Sequence, residues 1–177
     1  MNHIFIFFVF LSLQHKVIAQ REIEVTKIFI VRHAEKESGQ DPLLTNSGNI
    51  RAGDLMRHLQ YESIKKIYVS QYRRTQNTAD SLRLQLKIDT VHYIADTLCN
   101  YLVDAIIEHK DFGKTILIIA HSNTMPQIIR KLGVLDYPYG DIANNKYDNL
   151  FIVTYKKGKA KLKLMKYGSR SAIEAMH

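Results

Sequence analysis

Cysteine, tryptophan and long apolar runs are scarce in this chain. Their scarcity excludes a disulfide-stabilised domain and a protein built from membrane-spanning helices. The 177 residues include no tryptophan and a single cysteine, Cys99, so no intramolecular disulfide can form. A hydrophobic core must therefore hold the fold together, and we expect Cys99 to pack inside a helix. No apolar run reaches the roughly 18 residues that a membrane-spanning helix needs. The length is enough for one domain with a substantial core.

The N-terminus carries an apolar stretch over residues 4–13, which is too short to cross a bilayer as a helix. Val17-Ile18-Ala19 follows it and offers the small residues that signal peptidase requires, although no lysine or arginine precedes the apolar stretch. We predict a signal peptide over residues 1–19, cleaved after Ala19, and a periplasmic or secreted protein. An uncleaved N-terminal anchor is the alternative.

The chain is strongly basic, with a net charge of +8 at pH 7. Its lysines are scattered, and the densest group, between Lys156 and Lys163, has the pattern of an edge hairpin. Lysine on an exposed edge strand is a common protection against aggregation. We therefore expect no nucleic-acid partner and no stable membrane association after signal cleavage. A positive field would still attract anionic substrates.

From residue 27 onward, apolar runs of strand length alternate with segments whose apolar residues recur at helical spacing. This order predicts a single α/β domain over residues 20–177, with its core at 27–167 and a largely parallel sheet flanked by helices on both faces. We expect strands at 27–31, 64–70, 88–94 and 114–120, a C-terminal hairpin turning at Lys157-Gly158, and helices around 52–59, 72–86, 98–109 and 125–133.

Two of the predicted strands end abruptly in cationic residues. One runs into Arg32-His33 and the other into His121. In open α/β sheets the ligand crevice lies at the carboxyl ends of the strands, so these side chains should meet at one edge. Two histidines and an arginine at that edge indicate a site for an anion, in particular a phosphate.

A further pair of cationic residues, Arg73-Arg74, follows the second predicted strand, at the point where a helix begins. The free N–H groups at the start of that helix should add to the anion site. In such a clamp one histidine can serve as a nucleophile, and the other can stabilise the transferring phosphoryl group. Since phosphoryl transfer depends mostly on positioning and charge neutralisation, these residue types are sufficient.

Four segments, in this order, resemble the blocks of the histidine phosphatase superfamily, which has the phosphoglycerate mutase-like fold. They are Arg32-His33-Ala34-Glu35, the segment from Leu44 to Ala52, the segment from Ser70 to Ala79, and Ala120-His121-Ser122. The short chain and the segment Asp41-Pro42-Leu43-Leu44-Thr45 are most similar to the small phosphohistidine-phosphatase branch. The third block places the second arginine of the family at Arg74 rather than Arg73.

The resemblance implies roles for four residues. His33 would attack phosphorus as a neutral imidazole, its other ring nitrogen held by a backbone or carboxylate acceptor, while Arg32, Arg74 and His121 would clamp the phosphoryl oxygens. It implies no cofactor and no metal. Ala34 and Ala120 stand where the family usually has glycine, and both should be tolerated unless a positive φ is required.

The acid that protonates the leaving group is left open among three carboxylates: Asp96, Glu35 and Asp41. Further residues near the motifs are expected to have structural roles. Arg51 should face solvent or cap a loop, and the tyrosines at 137, 139, 147 and 155 should pack in loops and hairpin edges. Asn123 should cap the following helix, with a hydrogen bond near the pocket as the alternative.

The sequence therefore predicts a metal-independent phosphatase that hydrolyses phosphomonoesters, or an exposed phosphoryl group on a larger molecule, through a phosphohistidine on His33. Two alternatives stay open: a phosphate- or polyanion-binding family member without turnover, and a phosphohistidine protein phosphatase if the N-terminus is retained in the cytoplasm. A mutase has less support, because the chain is short and its acid is unassigned. The oligomeric state is not indicated.

Overall fold

A computed structural model describes residues 25–171. The predicted signal peptide and its cleavage site therefore lie outside the described residues. The chain alternates strands and helices in the order β1 (Thr26–Arg32), α1 (Asn46–Leu59), β2 (Lys66–Ser70), α2 (Arg73–Leu86), β3 (Thr90–Tyr93), α3 (Asn100–Glu108), β4 (Thr115–Ala120) and α4 (Met125–Lys131), and ends in the hairpin β5 (Asn149–Lys156) and β6 (Lys159–Lys166).

The six strands of the described residues form one sheet in the order β3-β2-β4-β1-β5-β6. The four strands β1 to β4 are parallel, and the C-terminal hairpin joins the sheet antiparallel to β1. This confirms the predicted α/β class, the largely parallel sheet and the hairpin, which turns at Lys157-Gly158 where both residues have positive φ.

Helices cover both faces of the sheet, because the central strands are apolar on both sides. Residues of α3 and α4 pack on one face against alternate residues of β1 and β4, such as Ile28 and Ile118. Residues of α1 and α2 pack on the other face, against Phe29 and Leu117 among others. Each fully buried side chain of this size contributes about 1.5–3 kcal/mol. Within the described residues, no helix is both long and apolar enough to span a membrane.

The topology places a crevice between β1 and β4. From β1 the chain crosses over α1 on one face of the sheet, whereas β4 leads into α4 on the opposite face. Ligands of open α/β sheets bind where neighbouring strands diverge in this way. Because Arg32 pairs with Ala120 in the parallel register, the residues that follow each strand, His33 and His121, emerge side by side.

The helix α1 begins at a side-chain cap and a close backbone approach. The Thr45 hydroxyl accepts a hydrogen bond from the Gly48 amide at 3.0 Å, which satisfies one free donor of the first turn. A Cβ at Gly48 would lie 2.1 Å from the backbone oxygen of Glu35. Glycine is therefore required at this position by contact with the loop that carries the nucleophile candidate.

Candidate active site

A cavity of about 280 Å³ lies at the carboxyl ends of β1, β2 and β4. All four residues predicted from the motifs line it: Arg32, His33, Arg74 and His121. The imidazole centroids of His33 and His121 are 5.4 Å apart. The structure thus brings together the clamp that the sequence predicts, although its parts are separated by up to 89 residues along the chain.

His33 is held as a neutral imidazole with one nitrogen facing the cavity. Its Nδ1 lies 2.8 Å from the backbone oxygen of Ala34, an atom that only accepts, so Nδ1 carries the proton and Nε2 keeps its lone pair. Burial, which leaves the residue 3% exposed, and the nearby cations lower the pKa of His33 to about 3, in spite of that hydrogen bond. Near neutral pH the side chain is therefore an uncharged base with a free Nε2.

The backbone after His33 is also fixed. The Ala34 amide donates to the hydroxyl of Thr78 on α2 at 2.9 Å. Ala34 and Ala120 do not have positive φ, so the alanines at these two positions are accommodated as expected.

His121 has the opposite tautomer. Its Nδ1 lies 3.4 Å from Nη2 of Arg74, which can only donate, and its Nε2 lies 2.9 Å from the Ser70 hydroxyl. Nδ1 must therefore accept, and Nε2 must donate to Ser70. Burial together with the positive charges of Arg74 and Arg32 lowers the pKa of His121 to about 4. In the free site His121 is thus neutral, and a bound phosphoryl group would favour its charged form.

Arg32 is buried, and residues of the segment before β5 contact its guanidinium. Its Nη1 donates to the backbone oxygens of Ala143 at 3.3 Å and Asn144 at 2.5 Å, and its guanidinium carbon lies 4.2 Å from the ring centroid of Tyr147. Its buried Nε has no hydrogen-bond partner among residues 25–171. A buried donor without an acceptor is costly, so the described residues leave one hydrogen-bonding requirement of this guanidinium unmet.

Arg74, in the first turn of α2, is arranged similarly. Its guanidinium carbon lies 4.2 Å from the Tyr72 ring centroid, and its buried Nε also has no partner in the described part of the chain. Arg73 is exposed and does not line the cavity, so the assignment of Arg74 is supported by position. One expectation is wrong here: the first amide of α2 is not free for an anion, because it donates to Oδ1 of Asp41 at 3.0 Å.

The three candidate carboxylates have different surroundings. Glu35 forms a bidentate ion pair with Arg51, at distances of 2.7–2.9 Å, and does not line the cavity. Asp41 accepts from the α2 amide and lies 3.8 Å from Arg74, also outside the cavity lining. Asp96 lines the cavity; its Oδ2 accepts from the Asn100 amide, whereas its buried Oδ1 has no partner within residues 25–171. Asp96 alone of the three is placed to reach a bound substrate.

Several minor expectations are wrong. Arg51 does not face solvent, since it is 4% exposed and pairs with Glu35; its donation to the backbone after β6 agrees with the alternative that it caps a loop. Asn123 does not cap α4; the cap residue is Thr124, and Asn123 lines the cavity. Cys99 is buried as expected, but it precedes α3 with a positive φ rather than lying inside a helix.

The sequence interpretation missed three contributors to the site. Tyr147 lies against Arg32, with its ring centroid 6.1 Å from that of His33, and is not merely loop packing. Tyr72 meets the His121 ring edge-on at 5.4 Å. Lys36 lines the cavity and adds a third positive charge. Tyr72 and Lys36 are close to the motifs and were detectable, whereas no local signal marks Tyr147.

Comparison with solved structures identifies the fold. A phosphoglycerate mutase from Bacillus anthracis str. Sterne has a TM-score of 0.61 at 14% identity, covering 81% of this chain and 93% of that one. A mycobacterial glucosyl-3-phosphoglycerate phosphatase has a TM-score of 0.59 at 13% identity, covering 81% and 98%. The protein histidine phosphatase SixA, solved with tungstate, has a TM-score of 0.56 at 18% identity, covering 79% and 96%. These likenesses define a phosphoglycerate mutase-like fold.

A family model matches part of the sequence. The model of the histidine phosphatase superfamily (branch 1) matches residues 28–97, which include Arg32, His33 and Arg74. Among curated proteins, none matches the chain in a sequence search. Over residues 28–97 the chain is thus similar to the histidine phosphatase superfamily, and this match supports an enzyme of the phosphatase class with a histidine nucleophile.

Proposed function

We propose that this protein is a metal-independent phosphatase that hydrolyses phosphomonoesters or related phosphoryl groups through a phosphohistidine on His33. One observation carries the proposal. The lone pair of His33 Nε2 is free, in a cavity whose two arginines each keep a buried Nε without a partner among residues 25–171. These groups match the needs of a phosphoryl group: a nucleophile on one side and donors for its oxygens.

The reaction follows from these positions in two displacements. First, the lone pair of His33 Nε2 forms a bond to phosphorus, while the bond from phosphorus to the leaving oxygen breaks and that oxygen takes a proton. A water molecule then attacks the phosphohistidine, the P–N bond breaks, and inorganic phosphate leaves. Arg32 and Arg74 neutralise the charge on the equatorial oxygens in both transition states.

Asp96 is the best candidate for the acid, since it lines the cavity and its Oδ1 has no partner in the described residues. In the first step its carboxyl group would give a proton to the leaving oxygen. In the second step the resulting carboxylate would take a proton from the attacking water, which returns Asp96 to its starting state.

His121 would act as an electrostatic clamp once substrate is bound. Its pKa, about 4 in the free site, would rise beside a phosphoryl dianion, and Nδ1 would then carry a proton for a phosphoryl oxygen. The Ser70 hydroxyl keeps Nε2 occupied, so the added proton goes to the nitrogen beside Arg74.

The cavity has room for a small leaving group, and its lining beyond the clamp is mostly polar: Lys36, Asp96, Thr97, Ser122 and Asn123. We propose small polar phosphomonoesters as substrates.

We also propose that the chain is exported and cleaved after Ala19. N-terminal sequencing of the protein recovered from the producing cell tests this, with Gln20 expected as the first residue.

Hydrolysis of p-nitrophenyl phosphate in EDTA tests the phosphatase itself. We expect turnover by the wild type, at least a 10³-fold loss in His33→Ala, and no loss in His92→Ala, which removes an exposed histidine on β3. An acid-labile phosphoenzyme should be trapped in the wild type alone. Equal turnover in His33→Ala would refute the nucleophile. Phosphate binding without turnover in any variant would favour the anion-binding alternative.

A leaving-group comparison tests Asp96 separately. Nitrophenolate leaves without a proton, whereas an alkoxide needs one. Asp96→Asn should therefore lose about 10²–10⁴-fold in kcat on glycerol phosphate, and much less on p-nitrophenyl phosphate. Glu35→Gln and Asp41→Asn are the matched controls, for which no such difference between the substrates is expected. If either control shows the difference and Asp96→Asn does not, the assignment is wrong.

A further inference from the structure

One face of the C-terminal hairpin carries four lysines, Lys156, Lys159, Lys161 and Lys163, called here the lysine platform. In a strand, successive side chains point to opposite faces of the sheet. The register places Lys156 directly opposite Lys159, and Lys161 and Lys163 opposite Thr154 and Ile152. All four lysines therefore lie on the face that Ile152 and Met165 share with α1 and α2.

The platform is exposed, and its charges are uncompensated. None of its four lysines forms an ion pair within the part of the chain that the structure describes. Like charges directly opposite each other across two strands destabilise a hairpin. Protection of a sheet edge explains lysines on β6, the outermost strand, and Lys156 adds a fourth charge at the end of β5, beyond its last pair with β1.

The first described residue, Val25, lies at the end of the sheet that carries the hairpin turn. β1 begins at Thr26, which pairs with Tyr155, the neighbour of Lys156. The 24 residues before Val25 contain the apolar stretch 4–13, and they join the domain at this same end. The cavity lies at the other end of β1, about 20 Å away for a strand of 7 residues.

We propose that the lysine platform docks the protein on an anionic phospholipid surface. Four ammonium groups on a two-stranded ribbon can meet lipid phosphates together, and each lysine near such a surface adds to the attraction. The docked orientation leaves the cavity at the far end of β1 accessible, and it places residue 25 next to the lipid whether the N-terminal segment is cleaved or kept. This differs from the sequence-based expectation of no membrane association after cleavage.

Nucleic acid is a poorer match for the same charges. Single-stranded binding surfaces combine lysines with aromatic platforms, whereas the alternation of the strand places Tyr155 on the opposite face from the platform. The inference does not depend on the proposed phosphatase activity, since it uses none of the cavity residues.

The test is co-sedimentation of the full chain with phosphatidylcholine vesicles, with and without 30% phosphatidylglycerol. The measured quantity is the ratio of partition onto anionic and neutral vesicles, which cancels insertion by the apolar N-terminus. For Lys159→Gln/Lys161→Gln/Lys163→Gln at low salt we expect this ratio to fall about 100-fold, at about fivefold per lysine. The circular dichroism spectrum and the urea unfolding midpoint of the variant should match those of the wild type, which shows that the variant is folded.

A control with the same charge change separates position from net charge. Lys65, Lys87 and Lys110 are exposed and lie before β2, β3 and β4, at the same end of the sheet as residue 25 but on other strands and outside the platform. Their triple glutamine variant should keep most of the ratio. An equal loss in both triple variants, no preference of the wild type for anionic vesicles, or tighter platform-dependent binding to a duplex oligonucleotide would each overturn the proposal.

Discussion

The two neutral histidines of the site should make the fold sensitive to acid. Burial and neighbouring arginines lower the pKa of His33 to about 3 and that of His121 to about 4, from an ordinary value of about 6.5 in the unfolded chain. At pH values between the folded-state pKa and the unfolded-state pKa of each histidine, the unfolded chain binds a proton that the folded protein does not. Stability must therefore fall as the pH drops below about 6.5, and each loss is complete only below the folded-state pKa.

The size of the effect follows from these pKa values. At pH 5 an unfolded histidine is almost fully protonated, whereas both site histidines remain mostly neutral in the folded protein. Each then costs about 2 kcal/mol of unfolding free energy relative to pH 8, and the two together about 4 kcal/mol. Since domains are stable by about 5–15 kcal/mol, this is a large fraction of the total.

Urea unfolding at pH 8, 6 and 5 measures the loss, followed by circular dichroism because the chain lacks tryptophan. His33→Asn keeps a group that can donate to the Ala34 oxygen but does not titrate. Between pH 8 and pH 5 the free energy of unfolding of this variant should fall by about 2 kcal/mol less than that of the wild type. Comparing changes with pH, rather than absolute stabilities, removes other effects of the substitution.

His92→Asn is the matched control, because this histidine is exposed on β3. Its free energy of unfolding should depend on pH in the same way as that of the wild type. An identical decrease for wild type, His33→Asn and His121→Asn would refute the reasoning, since it would mean that neither imidazole is held neutral by burial.

Three further substitutions test how the site is supported. Thr78→Val removes the acceptor for the amide after the nucleophile, and should cost about 1–3 kcal/mol in urea unfolding. Gly48→Ala places a Cβ 2.1 Å from a backbone oxygen and should lower the Tm by several degrees; Gly53→Ala, whose Cβ would meet only a flexible side chain, should not. Ser70→Ala removes the partner of His121 Nε2 and should lower kcat about tenfold with little change in KM, whereas an unchanged kcat would contradict its role in orienting that ring.

The parts of the fold that were predictable are those in which local pattern and burial agree. The strands before His33 and His121 are continuous apolar runs, and such runs are typical of strands buried on both faces. Their parallel pairing then brings the two histidines together without further information. Arg74 was placed by its motif, and its Nη2 does lie beside His121.

The wrong expectations concern residues whose surroundings come from distant segments. Arg51 lies on the buried face of α1 with Leu55, but the groups that allow a charge to be buried there are Glu35, 16 positions earlier, and the backbone after β6. Tyr147 lies in the long connection between α4 and β5, and only the path of that segment brings its ring to Arg32. Periodicity carries no information about either contact.

The free site is electrostatically costly, and this cost is itself an argument for its function. Two arginines keep buried Nε atoms without partners in the described chain, and two imidazoles are held neutral by burial and by those same arginines. A stable fold has no need of such an arrangement, because apolar residues would fill the space more favourably. A phosphoryl group relieves every part of it, since it accepts from both arginines and favours a proton on His121. The groups that should make the protein sensitive to acid are therefore those through which the proposed phosphatase would bind a phosphoryl group.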